Sequence, residues 1–89
     1  MGIVIKRNGK KVAFNASKIR NSILKAAHEA GLSASRIKEL TQDVAESVIN
    51  EYKNKKTKAI YLRKIILKGL DRKSRSVSNA WRRFDKKRR

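Results

Sequence analysis

Hydrophobic positions recur at two periods along this chain, and the change of period divides it. From Ile3 to Phe14 (IVIKRNGKKVAF) apolar residues alternate with polar ones on either side of Asn8-Gly9. This reads as a β-hairpin with a basic tip, because a two-residue type I′ turn needs positive φ at both central residues and Asn and Gly tolerate it best. In that register Ile3 faces Phe14, Val4 faces Ala13, Ile5 faces Val12, Lys6 faces Lys11 and Arg7 faces Lys10. Ile3, Ile5, Val12 and Phe14 then share a face that can lie on a core, while Lys6 and Lys11 point the other way.

After Phe14 the period lengthens to that of a helix. Asn15 is a good N-cap for a first helix over about Ala16 to Ala30, which Gly31 can end in the left-handed conformation, with Ile19, Ile23, Ala26, Ala27 and Ala30 on one face. Ser33 or Ser35 can cap a second helix to about Tyr52, striped by Ile37, Leu40, Val44, Val48 and Tyr52. The run KNKKTK (Lys53 to Lys58) reads as a basic linker, with Asn54 or Thr57 available to cap the next helix. That third helix, over roughly Lys58 to Leu70, turns Leu62, Ile65, Ile66 and Leu70 inward, and Gly69 weakens its end. Beyond a polar break at Arg72 to Ser76, a fourth shows Val77, Ala80, Trp81 and Phe84 at i, i+3, i+4 and i+7. The predicted architecture is α+β: an N-terminal β-hairpin packed on a four-helix bundle.

Composition narrows the partners more than the fold. The 89 residues make one small domain, 1–89, with a basic tail from about 85 to 89. Twenty-five Lys and Arg against seven Asp and Glu leave a net charge of +18, so the partner should be anionic. Cysteine is absent and histidine occurs once, at His28, which excludes disulfides, thiolate metal sites and an imidazole cluster. The opening apolar run is too short for a signal peptide and nothing approaches a membrane span, so a cytoplasmic protein is expected.

Candidate chemistry is sparse and mostly cationic. Two like-charged pairs facing each other across a hairpin are unfavourable for folding and become favourable beside a polyanion; the alternative is a solvated edge that deters aggregation. Glu39, Asp43, Glu46 and Glu51 lie on the exposed side of the second helix, where they read as a solvated stripe rather than a catalytic cluster. Trp81 and Phe84 fall on the apolar helix face and not among the arginines, which favours core packing over base stacking. No nucleophile–base pair, no phosphate loop ending in GK[ST] and no metal cluster is present, so an enzyme acting alone is not expected.

The hairpin KRNG, then Phe14, then Asn15-Ala16-Ser17-Lys18-Ile19 opening an alanine-bearing helix, resembles the ATP-cone, a small nucleotide-binding domain at the start of ribonucleotide reductases. Leu62, Ile66 and Leu70, and later Val77, Ala80-Trp81 and Phe84, are similar to its later helices, so the resemblance spans nearly the whole chain. It implies a non-catalytic module that binds ATP or dATP beneath the hairpin and switches a partner's activity or oligomeric state. Carried over by position, Lys6, Arg7 and Lys18 contact phosphates, and the implied nucleotide set is Lys6, Arg7, Asn8, Lys11, Asn15, Lys18 and Thr57. Asn8 stands where the family usually has Asp, and Thr57 matches the family's nucleotide-holding Thr only if the third helix shifts against Leu62. The family's domain is ordinarily attached to what it controls, so a separate partner is expected here. Lys18 agrees independently, one turn into a helix whose N-terminus is a ready anion site.

A triphosphate needs about three or four basic contacts, and far more are available. The alternative function is therefore a nucleic-acid- or ribosome-binding protein that grips phosphate backbone without sequence readout. Its expected contacts are Lys55, Lys56, Lys58, Arg63, Lys64, Arg82, Arg83, Lys86 and Lys87. A homo-oligomer is compatible with either function, and a membrane-surface role is not expected, because no helix offers a large exposed apolar face.

Overall fold

Asn8-Gly9 turns the chain, but through a loop one residue longer than a type I′ turn. The computed structural model describes residues 2–87, with side chains described for residues 2–83. Strands β1 (Ile3–Ile5) and β2 (Lys11–Ala13) form the hairpin. The Gly9 amide donates to the Lys6 carbonyl (2.9 Å) and the Lys6 amide to the Lys10 carbonyl (2.8 Å), leaving Arg7, Asn8 and Gly9 in the loop. Only Gly9 takes positive φ, at 85°. Asn8 stays at negative φ, and its Oδ1 accepts from the Lys10 amide at 3.0 Å. The result is a type I turn closed by a left-handed glycine.

That extra loop residue corrects the expected register. Ile3 pairs with Ala13, Val4 with Val12 and Ile5 with Lys11. Because the side-chain period is two, a one-residue shift turns over one strand relative to the other. The second strand keeps its expected inward residues, Val12 and Phe14; the first is turned over, so Val4 packs toward the core and Ile3 is left exposed. Neither expected like-charged pair forms: Lys6 stands opposite Lys10 instead, and Arg7 sits in the turn.

The basic run expected to be a linker contains a strand, β3 (Lys56–Lys58), parallel to β1 with Ile3 beside Lys56, Val4 beside Thr57 and Ile5 beside Lys58. The sheet order is β2-β1-β3, which makes β1 central. KTK has little strand propensity of its own. Its pairing comes from the open edge of β1, and it is anchored by Thr57, whose side chain is buried beside Val4 on the inner face.

The helices follow the predicted apolar stripes closely. Helix α1 (Ala16–Glu29) is capped by Asn15, whose Oδ1 accepts from the Lys18 amide at 3.2 Å. It ends in a Schellman motif: Gly31 at φ 81° donates to the His28 carbonyl, and the Leu32 amide to that of Ala27. Helix α2 (Ala34–Tyr52) is capped by Ser33. Helix α3 (Ala59–Lys73) starts after Lys58 with no side-chain cap, so neither Asn54 nor Thr57 serves there. Only Ser74 separates α3 from α4 (Arg75–Lys87), and the expected break from Arg72 to Ser76 is mostly helical. The four helices pack in a ring, α1 on α2, α2 on α3, α3 on α4 and α4 back on α1. Ile23, Leu70 and Val77 are fully buried, and Ala26, Ala27, Ala45 and Ala80 let the helices approach between them. The Phe84 side chain lies outside the described residues.

The acidic stripe of α2 is tied down more than expected. Arg20 Nε and Nη2 donate to Glu46 at 2.7 and 2.9 Å, joining α1 to α2, and Lys73 approaches Asp43 at 3.5 Å, joining α3 to α2. The hydrogen bonds from Arg20 hold the Glu46 carboxyl below its ordinary pKa of about 4.5. A carboxylate lowered on folding stabilises above its unfolded pKa and loses that contribution as pH falls through the folded value. Glu46→Gln should therefore lower the melting temperature at pH 6, with the gap to the parent protein closing as pH drops below about 4.5. A gap that stayed constant down to pH 3 would contradict this pair.

Candidate functional site

The inner face of the sheet does not sit flush on the helices. Val4, Val12 and Phe14 roof a cavity of about 260 Å³ whose floor is Ile19 of α1, Leu62 and Ile66 of α3 and Trp81 of α4. Asn15, Lys18, Ser22 and Lys25 line its α1 side and Arg63 its α3 side. The first turn of α1 thus borders the cavity, and that end of a helix carries free amides and a partial positive charge. A second cleft of about 570 Å³ opens beneath the hairpin tip, lined by Lys6, Arg7, Asn8 and Gly9 on one side and by Lys58, Ile60 and Arg63 on the other. Ala59 and Arg63 line both, so the two spaces adjoin at the start of α3.

Charge is sorted just as sharply as shape. Neither lining contains an Asp or Glu. The carboxylates with described partners are engaged elsewhere: Glu46 on Arg20, Glu51 on Lys55 (3.1 Å), Asp43 on Lys73 and Asp71 on Arg82 (3.0 Å). An apolar chamber opening onto a cationic cleft can take a molecule with a flat apolar end and a polyanionic one. Among the described residues no group of three or more His, Cys, Asp or Glu could hold a metal ion.

Of the residues expected around a nucleotide, Asn15 and Lys18 line the inner cavity, and Lys6, Arg7 and Asn8 line the tip cleft. Lys11 lines neither: the second strand keeps its expected face, which turns Lys11 away from the core. Thr57 is buried in β3 and lines neither. Among the cations expected on nucleic acid, Arg63 sits where the cavities meet and Lys58 lines the cleft. Lys55 bonds Glu51 and lies 5.4 Å from the Tyr52 ring, and Arg82 is bound to Asp71. Lys56, Lys64 and Arg83 are exposed, and the side chains of Lys86 and Lys87 lie outside the described residues.

Sequence reasoning missed Ser22 and Lys25, although Lys18, Ser22 and Lys25 at i, i+4 and i+7 share a helix face and could have been found that way. Trp81 packs against the core, as its spacing predicts, but it also closes one side of the cavity, and helical spacing cannot separate two roles on one face.

A hairpin-roofed helical bundle with an apolar chamber opening onto a basic cleft defines a small type of ligand-binding module, one suited to an anion with an apolar end. The chain belongs to the ATP-cone family: the ATP cone domain matches residues 2–83, as the motifs around KRNG and Asn15 to Ile19 implied. The family is regulatory and non-catalytic, and its members bind ATP or dATP as regulatory ligands. No curated protein matches the chain.

Proposed function

We propose that this chain is an adenine-nucleotide sensor: ATP or dATP binds between the sheet and the bundle, is not consumed, and alters how a separate macromolecular partner associates. The observation that carries this reading is the junction at Ala59 and Arg63, where a chamber floored by Ile19, Leu62, Ile66 and Trp81 meets a cleft lined by Lys6, Arg7 and Lys58. The adenine enters the apolar chamber, where ring burial and stacking are favourable. The phosphates meet the α1 N-terminus with Lys18, and the hairpin cations beyond Arg63. A cytoplasmic setting belongs to the same reading; among the described residues no helix is long and apolar enough to cross a membrane.

Calorimetric titration at moderate salt tests it. Saturable one-site binding of ATP and dATP, with inorganic tripolyphosphate at least tenfold weaker, is the expected result. No saturation, or an equal response to tripolyphosphate, would remove the adenine chamber from the account.

A further inference from the structure

Cationic residues exceed what the two cavities use, and two that line neither, Lys11 and Lys56, stand on the other side of the sheet. Residues 1–28 and 52–70, which supply all three strands and most of α1 and α3, carry seven Lys or Arg each and no Asp or Glu. The pairing register places Lys11, Ile5 and Lys58 in one cross-strand row and Ala13, Ile3 and Lys56 in the next, all on the face opposite Val4, Val12 and Thr57. Ile3, Lys11 and Lys56 are exposed there and line neither cavity, while Ile5 and Lys58, at the hairpin-tip end of the same face, border the tip cleft.

We infer that this outer sheet face binds the phosphate backbone of double-stranded nucleic acid, on the opposite side of the same three strands from the nucleotide cavity. Strand geometry sets Lys11 on β2 and Lys56 on β3 about 12 Å apart across the sheet, a spread that reaches separate phosphates of one backbone. Protection of sheet edges alone would not produce this pattern. Edges are defended equally well by mixed charges, and a surface built only for solubility intersperses both signs. A single strand is the poorer fit, because it calls for aromatic platforms and this face offers only Ile3, Ile5 and Ala13 between its lysines. Among the described residues its rows carry Lys, Ile and Ala, with no helix and no Asn, Gln or Arg, so recognition is of backbone and not of sequence.

The test is anisotropy of a labelled random-sequence duplex over a salt series, with the full chain, Lys11→Gln/Lys56→Gln, and a control, Arg36→Gln/Lys38→Gln, that removes the same charge from the exposed start of α2. The outer-face pair should flatten the slope of log affinity against log salt by about 1.8, at about 0.9 per lost phosphate contact. The α2 control should leave the slope within about 0.3 of the parent's, and Lys11→Arg/Lys56→Arg should restore it, which separates charge from folding damage. Equal flattening by both glutamine pairs would mean diffuse attraction by net charge and would overturn the proposal, as would an unchanged slope. Capture by phosphatidylglycerol vesicles that competes fully with the duplex would overturn it too, in favour of a membrane surface. The inference stands apart from the nucleotide reading: ATP titration of Lys11→Gln/Lys56→Gln should match that of the parent, and joint loss of both ligands would defeat the assignment of separate faces.

Discussion

Leu70→Ala should lower the free energy of unfolding by about 2–5 kcal/mol, the range for a leucine removed from a packed interior. Leu70 is fully buried, on the α3 stripe it shares with Leu62 and Ile66 and one turn before α3 gives way to α4. Its carbonyl also accepts the Ser74 amide at 2.7 Å, the bond that closes the α3–α4 corner. The cavity left behind would be hard to refill, because Val77 and Ala80 on the next helix are themselves fully buried and are held by a single-residue connection. A domain of this size has a total stability of roughly 4–13 kcal/mol, so the substitution removes a large part of it. Urea unfolding followed by circular dichroism should show a lower midpoint at an unchanged slope. Leu24→Ala is the comparison: Leu24 is 39% exposed, so its loss should cost less than about 1 kcal/mol. If the two variants unfolded at the same urea concentration, Leu70 would not be at the centre of the core.

The second large effect concerns the ligand. Ala59→Trp should abolish ATP binding, with a loss of at least about a hundredfold, because Ala59 borders both the apolar chamber and the basic cleft and an indole there closes the passage between them. Ala59 is only partly buried at the first position of α3, so the melting temperature should move by no more than a few degrees. Lys18→Gln should act in the same direction by another route. It removes a charge-assisted contact worth about 1.5–3 kcal/mol, or about 10- to 150-fold in affinity, and leaves the chamber open. The two variants differ in what they do to adenosine, which has no phosphate: Ala59→Trp should reject it, and Lys18→Gln should bind it as the parent does. Retention of ATP by Ala59→Trp would place the ligand outside these cavities.

How far the site could be read from residues alone differs between its parts. The Asn15 cap and Lys18 follow from local rules, since an N-cap asparagine and a cation one turn later act within a few residues. The chamber is another matter. Its walls come from residues at 4, 12, 14, 62, 63 and 81, and no short-range pattern brings those together. Lys11 and Arg63 show the consequence. The family resemblance puts Lys11 in the nucleotide set, and it lines neither cavity; charge alone groups Arg63 with the nucleic-acid contacts, and it stands at the junction of the cavities.

The amino-acid sequence by itself determined the four helices, their buried stripes, the Asn15 and Gly31 boundaries of the first, the hairpin's existence and the excess of positive charge. Each depends on a period, a cap or a count that acts within a few residues. Tertiary structure alone decided the hairpin register, the third strand and which lysines line the cavities. The loop could close with two residues or three at similar local cost, and KTK has no strong preference for a strand. With three residues in the loop, β1 has β3 as its second neighbour and turns Val4 inward beside the buried Thr57. In a sheet of period two, that one residue determines which side of the protein the side chains of β1 face.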